Sequence, residues 1–211
     1  MNYKIIDLFA GAGGLSEGFR RNKFDIIAHV EMDKDASYTL RTREAYYYCK
    51  ENKLDYYNKY LKKDISREEL YSKIPDHILN KVINKEISKN TIDDIFKDID
   101  SKIDNVTISG IIGGPPCQAY SIAGRARKKD MEEDPRNYLY KYYLQFIKRY
   151  QPSFYVFEFE HLFQSRYNMN STNHRPPKHC SILLYFFINR CNALAGGGHN
   201  EHLKVCSLWS V

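Results

Sequence analysis

Residues 3–31 constrain the architecture more than any other stretch. YKIIDLF (3–9) is a short apolar run of the kind that forms a buried strand. AGAGG (10–14) follows, a tight turn whose glycines admit positive φ and close approach. LSEGFRR (15–21) predicts a helix, FDIIAHV (24–30) a second buried strand, and Glu31 closes it. Strand, glycine turn, helix, strand and acid, with the acid about 20 residues past the turn, is the order of a nucleotide-binding βαβ unit. A glycine turn in any other α/β protein has the same local pattern, so the ligand needs its own argument.

The dinucleotide fingerprint G-x-G-x-x-G fails here, because Gly11 and Gly13 are followed by Ser16. Asp7 stands just before the turn, and a carboxylate is a poor neighbour for a pyrophosphate. S-adenosylmethionine (SAM) carries no phosphate. It offers a ribose diol, a cationic sulfonium and an adenine ring. Glu31 has the chemistry to accept both ribose hydroxyls, and Phe9 and Met32 the apolar surface to sandwich the adenine. Glu17, on the helix after the turn, is expected to be solvated. This turn therefore favours SAM over NAD.

Residues 36–103 are mostly helical in pattern. Ile92, Ile95, Phe96, Ile99 and Ile103 recur at three- and four-residue spacings, and Ile65, Leu70, Ile74, Ile78, Leu79 and Val82 do something similar around Pro75. The tyrosines of AYYY (45–48) and DYYNKY (55–60) are expected to pack, with base stacking as the alternative. Asp64 in KKDIS is a candidate for the adenine amino group. VTISGII (106–112) is another buried strand, and it delivers the chain to IIGGPPCQAYS (111–121).

A cysteine behind Gly-Gly-Pro-Pro is not a core filler, since such a loop is rigid and gives nothing to pack. At the C-terminal end of a strand in an open α/β sheet, the loop would present Cys117 to a ligand crevice. Thiolate is strongly nucleophilic near neutral pH and suits attack on an electron-poor carbon. SIAGRARKK (121–129) adds Arg125, Arg127, Lys128 and Lys129, which imply a polyanion beside the reacting centre.

Three stretches together resemble the C5-cytosine DNA methyltransferases. DLFAGAGGLSEGF is similar to that family's SAM-binding segment, and GGPPCQAYSIAGRAR to its catalytic Pro-Cys loop. DPRNYLYKYYLQFIKRYQPSFYVFE resembles the stretch in which a leucine, here Leu139, touches the cofactor and a strand ends on the catalytic glutamate, here Glu158. The resemblance covers residues 1–158. It implies a Rossmann-like SAM-dependent methyltransferase sheet with flanking helices, incomplete at its C-terminal side, with a helical insertion at about 36–103. It implies catalysis by Cys117 and Glu158, and cofactor binding by Phe9, Gly11, Gly13, Glu31, Met32, Asp64, Pro115 and Leu139. DNA contacts would come from Gln118, Ser121, Arg125 and Arg127. The substrate would be double-stranded DNA with a flipped cytosine. A cognate restriction endonuclease on a separate chain, a monomeric state and a bacterial cytoplasmic location complete the expectation. A tRNA cytosine-5 methyltransferase and a non-catalytic SAM- or DNA-binding remnant are the alternatives.

The match breaks after Glu158, where the family expects Glu-Asn-Val and this chain has Glu158, Phe159, Glu160. Composition changes at the same place. Residues 161–211 carry five basic residues against one acid, three of the five cysteines and five of the seven histidines. Their His and Cys lack metal-ligand spacing, so no metal is expected. No leader or membrane-spanning run is visible. We expect residues 1–160 to be the catalytic domain in part and 161–211 a poorly ordered tail, in a foreign reading frame, with weak or no turnover by the chain as it stands.

Overall fold

The computed structural model describes residues 3–22, 24–103, 107–115, 139–160, 181–187 and 204–207. Strand β1 (Tyr3–Leu8), helix α1 (Gly14–Arg21) and strand β2 (Phe24–Glu31) form where the sequence places them. The chain then makes a helical excursion, α2 (Lys34–Glu51), α3 (Tyr56–Leu61), α4 (Arg67–Ser72) and α5 (Asp76–Leu79). It returns through β3 (Val82–Asn84), α6 (Ile92–Asp100) and β4 (Gly110–Gly113). Helix α7 (Leu139–Tyr150) and β5 (Phe154–Glu160) follow, and β6 (Ser181–Phe187) and β7 (Lys204–Ser207) extend the sheet.

The strand order is β3-β2-β1-β4-β5-β6-β7. The first five strands in that order are parallel; β6 is antiparallel to β5, and β7 to β6. The order reverses between β1 and β4. In an open α/β sheet that reversal opens a crevice at the carboxyl ends of the two strands, where ligands bind. Among the described residues, no helix is long and apolar enough to cross a membrane.

The sheet is buried on both faces because neighbouring residues of each central strand are both apolar. Ile6, Leu8, Ile111 and Phe157 point to one face, against Ile95 and Ile99 of α6 and Tyr143 and Phe146 of α7. Ile5, Ile26, Ile112 and Val156 point to the other, against Leu15 and Phe19 of α1. The periodicity read over 92–103 is therefore the core face of α6, with Ile92, Ile95, Phe96 and Ile99 buried. Tyr143 ties the strands from above: its hydroxyl lies 2.9 Å from the Val156 carbonyl and 3.1 Å from that of Ile111.

The helical excursion has a core of its own, in which Ala45, Cys49, Leu70 and Ile74 are buried and Tyr48, Tyr56, Tyr57 and Tyr60 pack against them. One part of the region read as helical is a strand. Val82–Asn84 pairs in parallel with His29–Glu31 and forms the sheet edge. Three residues are too few to show alternation, and Ile83 and Ile87, both buried, mimic a helical spacing.

Gly113 ends β4 at φ 115°, and a Cβ there would stand 1.8 Å from the Leu8 carbonyl oxygen. Backbone cannot yield as a side chain can. Gly113→Ala is expected to destabilise the fold by about 1–3 kcal/mol or more through overpacking and a strained φ. A urea midpoint for Gly113→Ala equal to that of the parent would contradict the β1–β4 contact.

Candidate active site

The crevice begins at the turn after β1. Phe9 (φ 56°), Gly11 (φ 53°) and Gly13 (φ 83°) are all left-handed. The conformation is easy for glycine and strained for Phe9, and such strain gathers at functional sites. A Cβ on Gly13 would meet Leu40 of α2 at 2.8 Å, so α2 packs where only glycine fits. A Cβ on Gly11 would meet nothing within 4 Å, which leaves an open cradle beside that backbone.

Glu31 holds this turn. One carboxylate oxygen accepts the Gly11 N–H at 2.7 Å and the other accepts the Asp33 N–H at 2.7 Å. Each oxygen has a further lone-pair direction, so the carboxylate retains acceptor capacity for a diol. Met32, next along, is 65% exposed, and Phe9 is half-buried against the core. The Asn84 side chain donates to the carbonyls of Glu31 and Met32, at 2.9 and 3.0 Å. The β3 edge thus fixes the acid as well as the sheet. Sequence reasoning missed Asn84; the β-branched pair Val82-Ile83 after the Asn80-Lys81 break was the available signal.

Phe9, Gly11, Gly13, Glu31 and Met32 therefore come together. Pro115 joins them by topology, two residues beyond Gly113, which pairs with Leu8. Leu139, half-buried, opens α7. Glu158 lies in β5, one residue past the Gly113–Phe157 pair, so its backbone stands beside the exit of β4. Asp64 is not part of this set. It is exposed in the turn between α3 and α4, with its N–H donating to the Lys59 carbonyl, and that turn belongs to the separate helical core. Cys117, Gln118, Ser121, Arg125 and Arg127 lie outside the described residues.

Two carboxylates differ from their expected roles. Asp7 does not face the crevice: it is 1% exposed and accepts from His29 Nδ1 at 2.9 Å. The case for an acidic crevice rests on Glu31 without it. Glu17 is not solvated. It accepts from the Tyr47 hydroxyl at 2.6 Å, Arg43 at 3.0 Å and Arg21 at 3.1 Å. The Tyr47 hydrogen bond leads in holding its pKa below the usual range, ahead of the opposing effect of burial and the help of the two arginines. Burial and that same bond push Tyr47 up to about 12.

A buried charge network underlies the turn. His29 Nε2 lies 3.3 Å from Glu44, and Arg20 of α1 also binds Glu44. Asp7 on β1, His29 on β2 and Glu44 on α2 are each at most 2% exposed. These pairings join four elements, α1, β1, β2 and α2, and nothing in sequence spacing announces them.

Comparison with known proteins gives the family. The family described as C-5 cytosine-specific DNA methylase matches residues 3–70 and 62–174. Type II methyltransferase M.Bpa9945I of Bacillus paralicheniformis is 36% identical over 178 residues, 73% of this chain and 40% of that protein. Type II methyltransferase M.FnuDI of Fusobacterium nucleatum is 36% identical over 155 residues, 74% of this chain and 31% of that protein. A DNA modification methyltransferase encoded within an E. coli prophage aligns with a TM-score of 0.43 and 24% identity, over 79% of this chain and 35% of that one. The chain thus spans about 40% or less of the length of these relatives.

Proposed function

The chain belongs to the C-5 cytosine-specific DNA methylase family, and from that premise we propose that residues 3–160 carry the cofactor-binding and catalytic chemistry of a DNA (cytosine-5)-methyltransferase. The observation that carries the reading is the switch point. The Phe9–Gly13 turn with Glu31, the exit of β4 toward Cys117 and the backbone of Glu158 share one end of the sheet on adjacent strands.

The residues fit SAM, which supplies an electrophilic methyl group when bound. Glu31 would accept from the ribose hydroxyls, Phe9 and Met32 would cover the adenine, and the open side of Gly11 would admit the ligand close to the backbone. Leu139 and Pro115 would complete the cofactor contacts.

C5 of cytosine is too weak a nucleophile to take a methyl group from sulfur unaided. Cys117 thiolate adds to C6, which makes C5 carbanion-like. Glu158 as a carboxylic acid protonates or hydrogen-bonds N3 and stabilises the charge so produced. After C5 gains the methyl group, its proton is removed and the thiolate is expelled. Gln118, Ser121, Arg125 and Arg127 hold the DNA over the extruded base. Because the relatives are type II methyltransferases, a restriction endonuclease is the proposed functional partner. Phe159 stands where the family has asparagine, so Glu158 is less well oriented and turnover by this chain is slow.

Calorimetric titration with SAM tests the cofactor site. Glu31→Ala removes two charge-assisted hydrogen bonds to the ribose and the tie on Gly11. Binding is expected to weaken by about 10–100-fold. Glu51→Ala, exposed at the end of α2, is expected to bind as the parent does. Equal affinities for the parent and Glu31→Ala would remove Glu31 from the site.

A further inference from the structure

Outside the crevice, the structure holds a second concave site. Helices α1, α2, α3 and α4 enclose an open cleft of about 590 Å³. Its walls include Tyr38, Tyr46, Tyr57, Tyr60, Arg43 and Arg67. Tyr46 and Tyr57 stand with ring centroids 5.0 Å apart, and Tyr57 and Tyr60 6.2 Å apart. Tyr57 and Tyr60 pack against the helical core, and all three rings are half-buried. The Arg67 guanidinium sits over the Tyr38 ring, 3.8 Å from its centroid.

Arg43 is held in place but incompletely used. Its Nη1 donates to Glu17, while its Nε is buried and, among the described residues, has no acceptor. A buried donor left unpaired is costly, about 1–3 kcal/mol, and native proteins keep few of them. The Arg43 side chain is nonetheless 40% exposed, and an oxyanion in the cleft meets that solvent-facing part of it rather than the enclosed Nε. Glu17 and Asp35 are acids in the same wall; the charge of Glu17 is offset by its pairing with Arg21 and Arg43.

We infer that this cleft is a subsite for one nucleotide unit, its base stacked among Tyr46, Tyr57 and Tyr60 and its phosphate on Arg43 and Arg67. Flat aromatic faces accept any base, and arginine supplies the phosphate contact. A cation cage is the competing use of clustered tyrosines; Arg67 already covers the Tyr38 face, while the acids Glu17 and Asp35 share the wall with Arg43 and Arg67. The location suits a DNA strand. Helix α2 starts at Lys34, directly after Glu31 and Met32, so Tyr38 lies in its second turn, near the crevice end of the sheet. The site extends the DNA substrate proposed above and does not depend on methyl transfer. A free nucleotide carries the same base and phosphate, and the two sources need separate measurement.

The test is fluorescence anisotropy of the full chain with a short labelled oligothymidylate, without SAM and with Cys117 replaced by alanine. Tyr46→Ala and Arg67→Ala are each expected to weaken binding about 10-fold, with far-ultraviolet circular dichroism unchanged. Lys53→Ala, which removes an exposed charge at the end of α2, is expected to have no such effect. Competition by thymidylate at equal nucleotide concentration supports the site and identifies a free nucleotide as its ligand; competition by the oligonucleotide alone supports it and identifies a strand. Equal affinity in Tyr46→Ala, Arg67→Ala and the parent overturns the proposal. So does equal weakening in Lys53→Ala, which would reveal charge attraction without a site. Loss of SAM binding by Glu31→Ala leaves this result untouched, so the two readings fail separately.

Discussion

Cys117→Ala is expected to abolish covalent capture of DNA that contains 5-fluorocytosine. In the proposed mechanism, the parent's thiolate adds to C6 and C5 accepts the methyl group. Fluorine at C5 cannot leave as the proton does, so the enzyme remains joined to its substrate. The adduct needs a single turnover, and a slow chain therefore accumulates it during a long incubation with SAM. Within residues 111–121, Tyr120 and Ser121 are the other side chains with a nucleophilic atom, and a hydroxyl is far weaker than a thiolate without an adjacent base. The effect is all or none: a band of DNA-linked protein under denaturing conditions for the parent, and none for Cys117→Ala. Mass spectrometry of the digested adduct should find the base on the peptide containing Cys117. Capture that persists in Cys117→Ala would refute the assignment and move the nucleophile elsewhere. Glu158→Gln is expected to slow capture strongly while SAM affinity stays at the parent value, because it cannot supply an acid proton at N3.

The βαβ unit was legible in the sequence because each of its parts carries a local signal: apolar runs, paired glycines, and an acid at the proper distance. Helix α6 was legible through its isoleucine spacing. What the sequence could not carry was partnership between distant residues. Asp7 has the composition of a ligand-facing acid until its contact with His29 on the next strand is seen. Glu17 has the spacing of a solvated helix residue until Tyr47 and Arg43 close over it from α2. Strand β3 escaped because three residues have no measurable period. The tyrosines were read as packing residues, and they do pack; their exposed faces around a common cleft became evident only when α2, α3 and α4 were folded together.

Replacing His29 with leucine is expected to destabilise the fold by about 3–5 kcal/mol, the usual effect of removing one member of a buried ion pair. The imidazole lies between Asp7 and Glu44, and both would be left as buried carboxylates. Leucine fills similar volume, so the loss reports charge and hydrogen bonding more than a cavity. Arg20 and Lys81, the latter 4.0 Å from Glu44, continue to compensate that acid. Among the described residues, Asp7 has no such second cation, and it sits on β1 just before the Phe9–Gly13 turn. The pH dependence has a definite sign. Burial opposes protonation of His29, but the hydrogen bonds and charges of Asp7 and Glu44 outweigh it and raise its pKa. Its contribution is therefore complete below the unfolded histidine value, about 6.5, and is lost as pH rises through the folded value. For Glu44, burial raises the pKa, and the His29 bond with the Arg20, His29 and Lys81 charges lowers it further than burial lifts it. Its contribution is present above the ordinary carboxylate range and lost as pH falls through the lowered value. Urea midpoints of the parent should thus decline on the alkaline side, and His29→Leu should lack that decline. An alkaline decline of equal size in both proteins would mean that His29 is buried in its neutral form.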